Sequence, residues 1–338
     1  MRDVILLDPA FRQLEVIFNP EDLARVQASG EVLWARNDPF PEADYDTLRE
    51  RVTLIITGSW RHGDVRAWPK LRAILEVGGG FPSPADLDYA ECFRRGIRVL
   101  SCAPAFGPAV AEMALGLALA GARQIAFTDR AFRTGEPNWS HTSFSTAIGE
   151  PFTLYGKTIG LIGMGGLAHS LLPLLAPFKP ELIAYDPWLT DTYIAAQGAQ
   201  SVALNDLMAH ARVIFVLAVP SSSNQALLDR RRLESIRPDA LLVLVSRSHV
   251  VDFDALTDLA LAGRLRAAVD VFPQEPLPRD HPIRRAEGVV LSSHRAGAQG
   301  EALHSVGRLV AEDIEALTAG LVPRSMQHAQ PEYIRLRG

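Results

Sequence analysis

The sequence predicts an α/β protein of two doubly wound domains, each built on a parallel sheet. Three observations carry that prediction. Short apolar runs alternate with helical patterns from one end of the chain to the other. The runs are nearly continuous in apolar residues, as expected of parallel strands covered on both faces. They also fall into two series with a long apolar helix between them, and 338 residues is the length of two domains rather than one.

The first series comprises VILLD (4–8), EVLWA (31–35), TLIITG (53–58), AILEVG (73–78) and IRVLS (97–101). Within 104–133, AVAEMALGLALAGARQIAF reads as one long helix, apolar nearly all round, and such a helix belongs at a domain junction or a subunit interface. An irregular piece, RTGEPNWSHTSFSTAIGEP (133–151), leads into the second series. That series is TIGLIGM (158–164), ELIAYD (181–186), VIFVLAV (213–219), ALLVLVS (240–246), AAVDVF (267–272) and VVLSS (289–293). One more helical pattern follows at 299–317, and then a polar tail. The expected layout is a discontinuous domain, 1–103 plus 296–338, around a continuous one, 104–295.

Composition narrows the partners. Apolar residues at 48% suffice for sizeable cores, and a net charge of −5 without a dense Lys/Arg block gives no footprint for nucleic acid or an anionic membrane. Two cysteines, Cys92 and Cys102, suit a reducing compartment and exclude a disulfide framework or a cysteine-built metal site. No metal is expected. The opening MRDVILLDPAF lacks the apolar core of a signal peptide, and no uncharged apolar stretch reads as a membrane span, so a cytoplasmic protein is expected.

The stretch GLIGMGGLAHS (160–170) poses the functional question. Gly163, Gly165 and Ala168 have the spacing of a dinucleotide-binding turn, with alanine third. A strand precedes the turn, a helical pattern follows, and the next strand ends in Asp186 within roughly 20 residues, which is the context that gives such a motif weight. Gly163 permits the tight turn, Gly165 lets backbone N–H groups approach a pyrophosphate, and the helix N-terminus adds partial positive charge. Asp186 suits a ribose 2′-hydroxyl and repels a 2′-phosphate, so NAD is preferred to NADP. A parallel α/β corner with no ligand is the bland alternative.

Three further stretches sit at strand ends of the same domain, where open α/β sheets bind ligands. LVSRSHVVD (244–252) carries Arg247, VDVFPQEPLP (269–278) carries Asp270 and Glu275, and VVLSSHRAGA (289–298) carries His294. Each has an ordinary structural reading by itself; together they supply an anion clamp, a pKa tuner and a proton donor.

These segments, in this order and at these separations, resemble the D-isomer-specific 2-hydroxyacid dehydrogenase family over nearly the whole chain. GKTIGLIGMGGLA (156–168) is similar to the family's cofactor turn, VSRSHVVD (245–252) to its arginine segment, AAVDVFPQEPLP (267–278) to its glutamate segment and SSHRAG (292–297) to its histidine segment. The resemblance implies a Rossmann NAD-binding domain inserted in a flavodoxin-like substrate domain, and a homodimer formed through the helix containing AVAEMALGLALA (109–120). It implies hydride transfer between NAD and a small 2-keto or D-2-hydroxy acid, with Arg247 holding the substrate carboxylate and carbonyl, His294 as general acid and base, and Glu275 orienting His294. It places Gly163, Gly165, Gly166, Leu167, Asp186, Pro220, Ser246 and Asp270 at the cofactor. In VGGGFP (77–82), the N–H groups of Gly78, Gly79 and Gly80 would meet the substrate carboxylate, although a plain surface turn explains the same glycines.

Departures from the family pattern are also visible. Ser248 and His249 follow Arg247 where glycines are usual, AFGPAVAE lacks a common asparagine, and Ala218 stands where relatives often carry histidine. Gly58-Ser59, followed by Trp60 and Arg61, replaces the Arg-Ser pair of relatives acting on phosphoglycerate, which makes a phosphorylated substrate less expected. Two alternatives stand beside the dehydrogenase. One is an NAD(H)-sensing protein of the co-repressor type. The other is a formate dehydrogenase, in which the histidine's partner would be Gln274 rather than Glu275.

Overall fold

A computed structural model of the chain describes residues 2–135, 139, 144–219 and 224–335. It divides into two compact units, Met1–Gly107 with Gly297–Gly338, and Pro108–Ala296.

The first unit holds a six-stranded sheet of β1 (Val4–Asp8), β2 (Glu31–Trp34), β3 (Leu54–Thr57), β4 (Ala73–Glu76), β5 (Arg98–Ser101) and, late in the chain, β13 (Gln327–His328). Its order is β13-β5-β4-β3-β1-β2, all parallel except β13, which runs antiparallel to β5. Successive residues of one strand feed opposite cores. Leu6, Ile55, Ile74 and Val99 join one apolar cluster, whereas Ile5, Leu7, Leu54, Ile56 and Leu75 join the other. That division is why these strands read as unbroken apolar runs. The helix Gly300–Thr318 returns to the first unit, where Arg25 makes a two-pronged ion pair with Glu315 at 2.9 and 2.8 Å. Buried Asp313 accepts the N–H groups of Arg324, Ser325 and Met326, fixing the turn that leads into β13.

The second unit contains β6 (Thr158–Ile162), β7 (Glu181–Tyr185), β8 (Gln200–Ser201), β9 (Val213–Val216), β10 (Leu241–Leu244), β11 (Arg266–Val269) and β12 (Val289–Leu291). The order β12-β11-β10-β9-β6-β7-β8 is that of the Rossmann sheet, and the first unit's order is flavodoxin-like with one added edge strand. The chain direction reverses its progress across the sheet at β6, between β7 and β9, which is where such a sheet receives its ligand.

Two sequence expectations need correction. The long apolar helix is two helices, Gly107–Ala122 and Ile125–Arg133. They break at Gln124, a buried residue in the left-handed region (φ +57°) whose side chain donates to the Gly149 carbonyl at 3.0 Å and accepts from the Thr146 hydroxyl at 2.6 Å. A tertiary anchor, absent from any local pattern, ends the first helix. Second, Ala103–Ala122 is long and apolar enough to cross a membrane by length and composition. Its Ala111, Ala114, Leu117, Ala118 and Ala122 are instead buried in the second unit's own core. Strands β8 and β13, two residues each, lie below what sequence periodicity registers.

Candidate active site

The second unit builds its site from the carboxyl ends of β6, β7, β10, β11 and β12. After β6 the chain turns at Gly163, whose φ of +95° favours glycine and whose missing Cβ would lie 2.8 Å from the Ala218 backbone. A Cβ on Gly165 or Gly166 would instead meet nothing within 4 Å. Gly165 caps the helix Gly166–Leu175 without any side-chain hydrogen bond, so among the described residues no capping side chain satisfies the first-turn N–H groups. Ala168 is fully buried and packs in the core, which is why a methyl is tolerated at the third position, and Leu167 packs against the same core. Asp186 follows β7. Its carboxylate accepts the N–H of Met164 at 2.9 Å and that of Trp188 at 3.0 Å, which ties the acid to the glycine turn. An open amide-lined turn with a carboxylate at its flank fits a dinucleotide, pyrophosphate on the helix N-terminus and ribose on Asp186. Ser246, just beyond β10, adds an orphan: its hydroxyl is buried and finds no hydrogen-bond partner among the described residues. Pro220, also expected at the cofactor, lies outside the described residues.

Beyond β11 and β12 the structure brings Glu275 and His294 together. One Glu275 oxygen accepts the N–H of Phe272 at 2.9 Å, and the other lies 2.6 Å from His294 Nδ1. Burial raises the Glu275 carboxyl. The hydrogen bonds from His294 and Phe272, with the charges of His294 and Arg247, outweigh that effect and hold it below the usual carboxylate range. The carboxylate is therefore charged at neutral pH and keeps a proton on Nδ1, which leaves Nε2 as the outward nitrogen. His294 sits in the left-handed region (φ +52°), and its N–H donates to the Asp270 carbonyl at 2.7 Å. The Asp270 carboxylate is fully buried and accepts the N–H groups of Arg295 and Ala296 at 2.9 and 3.1 Å. Asp270, expected among the cofactor contacts, thus spends both oxygens on the turn that presents His294. Arg247 is exposed, with Nη1 donating to the Ser246 carbonyl at 2.8 Å. The histidine's partner is Glu275, not Gln274. An imidazole oriented by a carboxylate on which a guanidinium charge also acts can exchange a proton with the oxygen of a bound anion.

The first unit holds its own polar edge. Asp8, Thr57, Glu76 and Ser101 end β1, β3, β4 and β5, four neighbouring strands, and all four are buried. The Gly78, Gly79 and Gly80 N–H groups are not open: they donate to the Glu76 carboxylate at 2.7, 3.2 and 3.0 Å. Arg12 donates to the Gly78 carbonyl at 3.0 Å and lies over the Phe11 ring. Arg61 pairs with buried Asp8. Sequence reasoning passed over Glu76 and Arg12. The available signal was an acid inside an apolar run, AILEVG, directly before the glycines.

Comparisons with known proteins place the chain in a family. Residues 115–296 match the family model described as D-isomer specific 2-hydroxyacid dehydrogenase, NAD binding domain. D-3-phosphoglycerate dehydrogenase of Mycobacterium tuberculosis is 32% identical over 281 residues, 83% of this chain and 50% of that protein, so the chain spans about half the length of that relative. Glyoxylate reductase of Thermofilum pendens is 31% identical over 273 residues, 80% of this chain and 78% of that protein. The crystal structure of a phosphoglycerate oxidoreductase from Rhizobium etli superposes with a TM-score of 0.82 at 32% identity, covering 97% of this chain and 99% of that one. The chain belongs to the D-isomer specific 2-hydroxyacid dehydrogenase family, and its second unit carries the family's NAD-binding domain.

Proposed function

We propose that this chain reduces a small, unphosphorylated 2-keto acid to the D-2-hydroxy acid with NADH, and catalyses the reverse oxidation with NAD. The observation that carries this reading is the 2.6 Å pairing of Glu275 with His294 near the Arg247 charge. Arg247 holds the substrate carboxylate and keto oxygen, for which a forked, permanently charged guanidinium is suited. When bound, the reduced nicotinamide supplies the hydride that the keto carbon accepts. His294 Nε2 gives its proton to the keto oxygen, and Glu275 stabilises the imidazolium before transfer and fixes its orientation. In the oxidative direction the neutral imidazole takes the hydroxyl proton back.

Two observations shape the specificity. Asp186 at the turn favours an unsubstituted ribose and therefore NADH over NADPH. Arg61, which follows the Gly58-Ser59 that replaces the Arg-Ser pair, is engaged by Asp8, which favours an unphosphorylated substrate. The pairing of Glu275 with His294 also disfavours formate as substrate. The test is NADH oxidation with glyoxylate, hydroxypyruvate, pyruvate, bulkier 2-keto acids and 3-phosphohydroxypyruvate, with NADPH and formate plus NAD as controls. Turnover of an unphosphorylated keto acid supports the reading. NADH binding without turnover of any keto acid would overturn it in favour of a cofactor-sensing protein.

A further inference from the structure

The helix behind the cofactor turn is weakly supported by its own sequence. It runs for ten residues, Gly166–Leu175, with Gly165 and Gly166 at its start and Pro173 inside it. Glycine loses more conformational freedom on ordering than any other residue. A proline inside a helix withholds the N–H that the carbonyl four residues earlier would accept, here that of His169. Packing does not confine the two glycines either. Among the described residues, a Cβ at either would meet nothing within 4 Å outside the helix's own backbone. What holds them is a pair of side chains one turn later. His169 Nδ1 lies 2.9 Å from the Gly165 carbonyl oxygen, and the Ser170 hydroxyl donates to the Gly166 carbonyl at 3.1 Å. A carbonyl only accepts, so Nδ1 carries the proton, and Nε2 of the neutral ring accepts from the Tyr193 hydroxyl at 3.1 Å. Tyr193 belongs to the helix Asp191–Ala196, beyond Asp186, so the ring bridges the elements that follow β6 and β7.

A serine bonding back to the carbonyl four residues earlier is common in helices. Here two such bonds fall on consecutive glycines, and one comes from a histidine that a second helix holds. The carbonyl of one residue and the N–H of the next point opposite ways in one rigid peptide plane. Holding the Gly165 and Gly166 carbonyls along the helix therefore directs the Gly166 and Leu167 N–H groups out of its N-terminal end, the end that suits a pyrophosphate. We propose that His169 and Ser170 are positioning residues for the dinucleotide: by holding the Gly165 and Gly166 carbonyls they aim the Gly166 and Leu167 N–H groups before the cofactor arrives. Without this brace, cofactor binding must itself order two glycines, and affinity falls by that cost. The inference goes beyond the keto-acid reading and rests on the cofactor turn alone; neither His294 nor a substrate enters it or its test.

The test is NADH affinity by calorimetric titration, with amide hydrogen exchange of residues 164–170 followed in the cofactor-free protein. In the double variant His169→Ala, Ser170→Ala, NADH is expected to bind about tenfold more weakly and the segment to exchange several-fold faster. Alanine is the better helix former at both positions, so a role confined to helix formation predicts the reverse. His169 is exposed, and its single variants cover the case in which the double variant does not fold. His169→Ala should weaken NADH about fivefold, whereas His169→Asn, whose amide nitrogen stands in for Nδ1, should stay within about twofold of wild type. A double variant that binds NADH as wild type does, or an asparagine variant as weak as the alanine one, would overturn the inference. Gly165→Ala separates the brace from the turn. If it leaves NADH affinity unchanged, the dinucleotide does not sit at this turn and both readings fall; if it weakens NADH while the double variant does not, the brace alone falls.

Discussion

Two glycine loops at the ends of parallel strands invite comparison, Gly163–Gly166 after β6 and Gly78–Gly80 after β4. Both follow an apolar strand, both place backbone N–H groups at a sheet's carboxyl edge, and both contain a glycine at positive φ. Their surroundings differ. The Gly165–Gly166 corner opens on free space at a helix N-terminus without a capping side chain from Gly165, with Asp186 accepting the Met164 and Trp188 N–H groups beside it. The Gly78–Gly80 loop closes on Glu76, which accepts all three N–H groups. Glycine content thus gives the chance of a close backbone approach but not the identity of what approaches. A carboxylate within the chain decides whether a nest is a binding site or a filled one.

Three substitutions separate the two loops. Gly78→Ala carries the largest expected effect. Its Cβ would meet Glu76 Oε1 at 2.3 Å and the Gly58 carbonyl at 2.6 Å, a backbone atom that cannot move aside cheaply. The expected loss is about 1–3 kcal/mol, read in urea unfolding; a neutral result would mean that the nest is not filled as described. Gly165→Ala is the counterpart, since its methyl enters open space. Unfolding without cofactor should change by less than ~0.5 kcal/mol, whereas NADH binding should weaken about tenfold because the methyl occupies the pyrophosphate's place. An unchanged Kd for NADH would place the dinucleotide elsewhere. Asp186→Ser should have the smallest effect. Removing one partly screened charge improves NADPH relative to NADH by about fivefold, and an unaltered ratio would remove Asp186 from cofactor discrimination.

Much of this was legible in the sequence. Eleven strands lie within a residue or a few of where apolar continuity places them, from Val4–Asp8 to Val289–Leu291, because a strand buried on both faces writes its burial into every residue. The Arg247, Glu275 and His294 segments were legible through their order at strand ends. What stayed hidden depends on contacts between distant positions or on backbone turns. The helix break at Gln124 is set by Gly149 and Thr146, some 22–25 residues away. Asp270 reads as a polar residue at a strand end, and only the fold reveals that its oxygens are bound by Arg295 and Ala296. Glu76 looks like a lone acid in an apolar run until the φ of Gly79 folds the next residues back over it.

The central claim is that His294, held by Glu275, gives the proton in keto-acid reduction. The most direct measurement is single-turnover NADH oxidation by wild type and His294→Gln, with the keto acid that wild type uses best and with NADH affinity measured in parallel. The account predicts a fall of about 10²–10⁴ in the rate of hydride transfer with NADH affinity unchanged. A variant that retains the wild-type rate within about threefold would contradict it.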